Sequence, residues 1–178
     1  MRPWATVLRV PVASGTAWFK ACSAVQAFEP RLTVELFGRW PDRVSQVVAA
    51  DEERGWLLLA DAGSPIADAD DASWPTALAR YAELQIGEAA HADDHRAHGV
   101  PDLRLAALPA RFDELVARRD LPLEGGELAG LRRLGPRVRE LCLELARHGV
   151  RETIQHDDLH ADNLLRLRRR ATCPRLGR

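Results

Sequence analysis

Residues 156–163 read His-Asp-Asp-Leu-His-Ala-Asp-Asn, six polar or ionisable side chains within eight positions. No buried element requires such a cluster, and polar runs of this kind between apolar segments are where sites form. Two chemistries use these residue types. Imidazole and carboxylate at close spacing can converge on a divalent metal. His156, Asp158, His160 and Asp162 are then candidate ligands of a hydrolase, with His91, His95 and His98 completing a two-metal set. In the other chemistry one carboxylate orients a hydroxyl and takes its proton, while an Asn five residues further on holds magnesium through oxygen. Asp158 and Asn163 have that spacing. A solvated acidic loop without chemistry is the plain alternative.

Lys20 is the second candidate, because it is the one lysine among 25 basic residues. The arginine bias is that of a GC-rich gene, so the exception asks for a reason. A compact ammonium on a flexible stem makes a point contact with phosphate in a pocket too narrow for a guanidinium fork. A leftover surface lysine is the competing reading.

The elements that would position these groups follow from periodicity. Thr6, Val7, Leu8 and Val10 are strand formers, Ala13-Ser14-Gly15 is a turn, and Ala17-Trp18-Phe19 begins a second strand ending at Lys20. Phe28, Leu32, Leu36 and Trp40, with Phe37 beside them, put one apolar stripe on a helix over 28–40, with Glu29 near its start. Val44 to Ala49, a polar turn at 51–55, and a fully buried strand Trp56 to Leu59 predict a second hairpin. The acid-rich stretch from Asp61, with Gly63 and Pro65, reads as a linker up to Ser73. Ser73 then caps a helix through Ala77, Leu78, Tyr81, Leu84 and Gln85 to about His91. Leu105 to Val116 marks another helix. A third runs from Leu128, breaks at Gly135-Pro136, resumes to Leu145 and is capped by Gly149. Glu152 to Gln155 is expected to be a short strand leading into His156. The fold class is therefore α+β, a small antiparallel β lobe with one helix followed by a helical lobe. The expected domains are 1–62, a linker 63–72, a helical lobe 73–166 with the polar loop, and an Arg-rich tail 167–178.

In order and spacing, Lys20 at a strand end, Glu29 on the next helix and His156-x-Asp158 with Asn163 resemble the aminoglycoside phosphotransferase family, of the two-lobed protein-kinase-like fold. The resemblance covers most of the chain up to about Leu165. It implies ATP- and magnesium-dependent phosphoryl transfer to the hydroxyl of a small molecule. Lys20 would anchor phosphate and Glu29 pair with it, while the segment around Leu59 and Asp61 would meet adenine through its backbone. Asp158 would be the catalytic base, His156 its structural support and Asn163 a metal ligand. The family also carries a further strand before the hairpin and an Asp-Trp-Gly-like motif after the Asn. Neither is present in 1–178, so the resemblance implies a fragment truncated at both ends and weakly active or inactive. A non-catalytic helical binding domain is the second reading and the metal hydrolase the third.

Composition sets the outer bounds. With 178 residues, 46% hydrophobic, 29% charged and a net charge of -1, the chain has the make-up of a folded domain rather than of a disordered segment or a nucleic-acid-binding stripe. The longest apolar run, Trp56 to Ala60, is far below membrane-spanning length, and the first residues lack an export signal. A cytoplasmic protein with no membrane, nucleic-acid or protein partner is expected. Cys22, Cys142 and Cys173 are too widely spaced for a Cys-x-x-Cys site and are expected to be free thiols. Residues 164–178 hold six Arg and no acid, a reversal of the acidic balance before them. Pro174 to Arg178 can be encoded as CCT CGA CTG GGG CGA, which read one nucleotide later gives Leu-Asp-Trp-Gly. A frameshift after Asn163 is thus expected to account for the tail and the missing motif together.

Overall fold

The structure, a computed structural model, describes residues 4–13, 15–66 and 73–167. The Arg-rich stretch from residue 168 and the acid-rich 67–72 lie outside the described residues, and with them the expected frameshifted tail. Strands β1 (Ala5–Val12), β2 (Gly15–Cys22), β3 (Val47–Asp51) and β4 (Trp56–Ala60) form an antiparallel sheet in the order β1-β2-β4-β3. Lys20 stands opposite Val7 on one neighbour and Leu57 on the other, and Cys22 opposite Ala5. Directly opposed residues share a face of an antiparallel sheet, and so do residues two apart on one strand. Lys20 and Cys22 therefore lie on the face that holds buried Ala5 and Leu57. The other face carries Phe19 and Trp56, edge to face with centroids 5.7 Å apart, and Arg54 covers the Trp56 ring. The expected fully buried strand at 56–59 is buried only at Leu57, and Trp56 is exposed. Its second face is closed by the aromatic pair and an arginine rather than by a second layer. Gly55 makes the approach to β4 possible: it has φ +68 and its carbonyl accepts the Cys22 N–H at 2.8 Å.

Helix α1 (Glu29–Arg39) starts with Pro30 in its first turn, where a missing N–H costs nothing. It is followed by Trp40, whose indole reaches α2 (Ser73–Glu88). The contact is close because residue 87 is glycine: a Cβ there would lie 2.3 Å from Trp40 Cζ2. Beside it, Glu88 is fully buried and takes every donor within reach. Arg39 donates from Nε and Nη2 at 2.8 and 2.7 Å and Trp40 Nε1 donates at 2.6 Å. His95, on the short helix α3 (Ala92–Ala97), meets Glu88 Oε2 through Nε2 at 2.7 Å. Burial pushes the Glu88 carboxyl up, but the hydrogen bonds from Arg39, Trp40 and His95 outweigh it and hold the group at about 2.

Residues 63–65, expected as linker, form strand β5 (Gly63–Pro65), which pairs antiparallel with β6 (Leu165–Leu167). The expected strand at Glu152 to Gln155 does not form. Its polar groups go to α2 instead of a sheet: Thr153 Oγ1 donates to the Gln85 carbonyl, Gln85 Nε2 donates to the Ile154 carbonyl at 3.0 Å, and the His156 N–H donates to Tyr81 Oη at 2.7 Å. By its contacts the chain divides into two compact units, residues 1–100 with 153–178, and residues 101–152. The division differs from one drawn at 63–72, because α2 and α3 are tied to α1 through Glu88. The second unit holds α4 (Leu108–Ala117), α5 (Gly125–Arg133) and α6 (Gly135–Ala146). Within it Val116 and Cys142 are buried, Arg139 pairs with Asp113 at 3.0 Å and Arg132 Nε donates to the Val116 carbonyl. Among the described residues no helix is long and apolar enough to cross a membrane.

Two outcomes follow for stability. Gly87→Ala should destabilise the protein by about 1 to 3 kcal/mol in urea unfolding, although alanine is the better helix former, because the methyl meets the indole of Trp40. Glu88→Gln should cost about 3 to 5 kcal/mol at pH 7, since it leaves Arg39 facing an uncharged partner in a buried setting. The folded carboxyl titrates near 2 against an ordinary 4.5. Its contribution is therefore complete above about pH 4.5 and lost as pH falls toward 2, so the gap between wild type and Glu88→Gln should narrow over that window.

Candidate functional site

Lys20 and Glu29 are brought together. β2 delivers the ammonium on the face that α1 covers, and Glu29, the first residue of α1, meets it there; Lys20 Nζ donates to Glu29 Oε1. Each side chain retains about a quarter of its exposure, enough for a ligand to reach the ammonium. The positive end of the helix also favours a carboxylate at this position. The second oxygen of Glu29 accepts the Cys22 thiol, with Sγ 3.4 Å from Oε2. Burial and then the Glu29 charge push that thiol up to about 12, so it stays protonated and remains a donor. Glu29 is thus held at both oxygens, one by a charge and one by a thiol.

Leu59 and Asp61 occupy different settings. Leu59 is inside the ladder, opposite Trp18 on β2 and Val47 on β3, so the first backbone groups past the sheet belong to the segment beginning at Asp61. Asp61 Oδ1 accepts the Gly63 N–H at 3.2 Å, a local turn that launches β5. The pairing of β5 with β6, together with the Ile66 N–H donating to the Leu164 carbonyl at 2.9 Å, joins this segment to the chain just beyond Asn163.

The polar loop is internally bonded. His156 Nδ1 accepts the Asp158 N–H at 3.2 Å, which makes it a support for the loop backbone. Asn163 Nδ2 donates to the Asp158 carbonyl at 2.8 Å and to Asp158 Oδ2 at 3.2 Å. The amide orientation is fixed by those two acceptors, leaving Oδ1 as its metal-binding atom. His160 sits between Asp158 and Asp162, with Nε2 3.5 Å from one carboxylate and Nδ1 3.7 Å from the other.

The expected two-metal set does not assemble. His95 is spent on Glu88, His98 Nδ1 lies 2.9 Å from Glu35 and His91 Nδ1 lies 3.5 Å from Asp94, so each imidazole has its own carboxylate. Among the described residues no group of three or more His, Cys, Asp or Glu side chains is placed to hold a metal ion. Magnesium asks less of the protein, since it keeps waters and phosphate oxygens and takes only one or two protein ligands. Asn163 Oδ1 fits that modest demand, its amide nitrogen being held on Asp158. The sequence reading missed the Glu88 cluster and the roles of Tyr81 and Gln85. The signal for Glu88 was its place one turn after Leu84 on α2, a buried position where a carboxylate requires partners.

The state of Cys22 provides a direct check. Iodoacetamide at pH 8 should label Cys22 at least about tenfold more slowly in the folded chain than in urea, followed by peptide mapping, and Glu29→Gln should speed labelling by removing the nearby charge. Equal rates in folded and unfolded chain would remove the thiol from the Glu29 carboxylate. No family model matches this chain, and no curated protein or solved structure matches it either.

Proposed function

We propose that this chain is a two-lobed, protein-kinase-like fragment of the aminoglycoside phosphotransferase type, whose chemistry is ATP- and magnesium-dependent phosphoryl transfer to the hydroxyl of a small molecule. The observation that carries the reading is the pairing of the one lysine in the sequence with Glu29 across a strand and a helix start. A lysine held by a carboxylate is pre-oriented for phosphate oxygens, and phosphoryl transfer depends mainly on positioning and charge. In this reading Lys20 holds the phosphates, Glu29 orients Lys20, and the backbone after Leu59, at Asp61, faces adenine. Asp158 takes the proton of the acceptor hydroxyl and His156 supports its loop. Magnesium, bound through Asn163 with Asp158 beside it, would neutralise phosphate charge.

Among the described residues no group of three or more His, Cys, Asp or Glu gathers around Asn163 to hold the ion, so turnover should be slow. A second reading, a non-catalytic helical binding domain, draws on the exposed apolar side chains Leu141, Leu143, Leu145 and Val150 of the unit 101–152.

Titration calorimetry of the purified chain with ATP and magnesium separates the two. Binding is expected, weakened about tenfold or more by Lys20→Ala and little changed by Asp158→Asn, which should instead abolish the slow transfer to a panel of small alcohols and amino sugars. No ATP binding, or transfer that survives Asp158→Asn, would overturn the phosphotransferase reading.

A further inference from the structure

We propose that α6 is a self-association surface, on which a second copy of this chain docks its own α6 antiparallel about a two-fold axis. Leu134, Val138, Leu141 and Leu145 follow one another at steps of four, three and four residues. That is the spacing of a narrow helix-pairing seam rather than of a broad core-facing side. Leu134 just precedes α6 but has helical backbone, and its carbonyl accepts the Val138 N–H at 2.9 Å, so the four stand on continuous helical turns. At 3.6 residues per turn they fall within about 60° of one another. Leu134, Leu141 and Leu145 are 49, 40 and 53% exposed, and Val138 is half-buried at the margin. Helix α6 meets its own unit through a different stripe, where Gly135 and Cys142 are buried.

The charges beside the seam identify its occupant. Arg137 and Glu144 each stand one residue before a seam position, on the flank turned away from Gly135 and Cys142. Run antiparallel, a second α6 sets Leu134 opposite the partner's Leu145 and Val138 opposite the partner's Leu141. The same register brings Arg137 to the partner's Glu144 and, by symmetry, Glu144 to the partner's Arg137. A parallel pair would set Arg137 beside the partner's Cys142 and Glu144 beside the partner's Gly149, with no charge to meet. Neither charge is firmly held within the chain. Arg137 reaches Glu140 at 3.2 Å in a pair exposed on both sides, which is worth little, and Glu144 has no ion-pair partner among the described residues. An unrelated apolar helix would satisfy the leucines but not this reversed order of charges.

Four side chains from each copy make a small contact, so the dimer is weak and depends on concentration. Sedimentation of the full chain in reducing agent, from about 5 to 200 μM, should show monomer giving way to dimer. Arg137→Glu and Glu144→Arg should each weaken it about tenfold, because two attractive pairs become two repulsive ones, and the double variant should restore it. Leu141→Asp should abolish the dimer, while Leu143→Asp, on the opposite side of α6, leaves it unchanged, with the fold of each variant checked by circular dichroism. A wild-type chain that stays monomeric throughout, which needs no variant to fold, overturns the proposal. So does a dimer that ignores the charge reversals, that the double variant fails to restore, or that Leu143→Asp breaks as readily as Leu141→Asp. Lys20, Asp158 and nucleotide take no part in these measurements, so the proposal and the phosphotransferase reading stand or fall separately.

Discussion

A carboxylate with no solvent exposure is the constraint around which the larger unit is arranged. Glu88 stays ionised only because Arg39, Trp40 and His95 replace the water it has lost, and those partners come from the end of α1 and from α3. Meeting that demand fixes the end of α1 against α2 and α3. The opposite end of the same helix carries Glu29, about 16 Å away along 11 residues. A rigid helix transmits placement along its length, so the geometry of the Lys20 pair is set at one end of α1 by a cluster that touches no candidate ligand.

Helix α2 serves the second group of residues in the same way. Leu84 and Glu88, one turn apart, face the buried side. Tyr81 and Gln85, also one turn apart on a neighbouring stripe, take the Thr153 hydroxyl, the Ile154 carbonyl and the His156 N–H. The polar loop is therefore hung from a helix rather than from a sheet. Its interior bonds, from His156 to the Asp158 N–H and from Asn163 to two Asp158 oxygens, then need to define only a few residues.

Local signals were legible in the sequence where short-range patterning decides the structure. A β-branched run before a glycine turn marked the first hairpin, the short apolar run after the 51–55 turn marked the second, and the four-residue spacing from Phe28 to Trp40 marked α1. Glycine and proline at 135–136 marked the break between α5 and α6. What was not legible depends on partners far away in sequence. Gly63–Pro65 has the composition of a linker and becomes a strand only because Leu165–Leu167 pairs with it. Thr153 and Ile154 look like strand residues, yet Gln85 of α2 satisfies them first, its carbonyl accepting the Thr153 hydroxyl and its side-chain amide donating to the Ile154 carbonyl. In the candidate site the residue types and spacing at Lys20, Glu29, Asp158 and Asn163 were readable. The Cys22 thiol on Glu29 and the His160 ring beside Asp158 were not, because each is defined by a three-dimensional neighbour rather than by a motif.

The pairing of β5 with β6 gives the fold an order of assembly. Strands β1 to β4 all lie between residues 5 and 60, two of their links being tight turns and the third carrying α1, so they can form as soon as that stretch exists. The partner of Gly63–Pro65 lies beyond the whole helical unit 101–152, and closing so long a span carries an entropic cost that local hairpins avoid. In vectorial synthesis the lysine and its glutamate therefore meet early, while the polar loop is seated last. A nascent chain released before residue 165 would hold a finished sheet and lack the strand that ties the end of the polar loop to Gly63–Pro65.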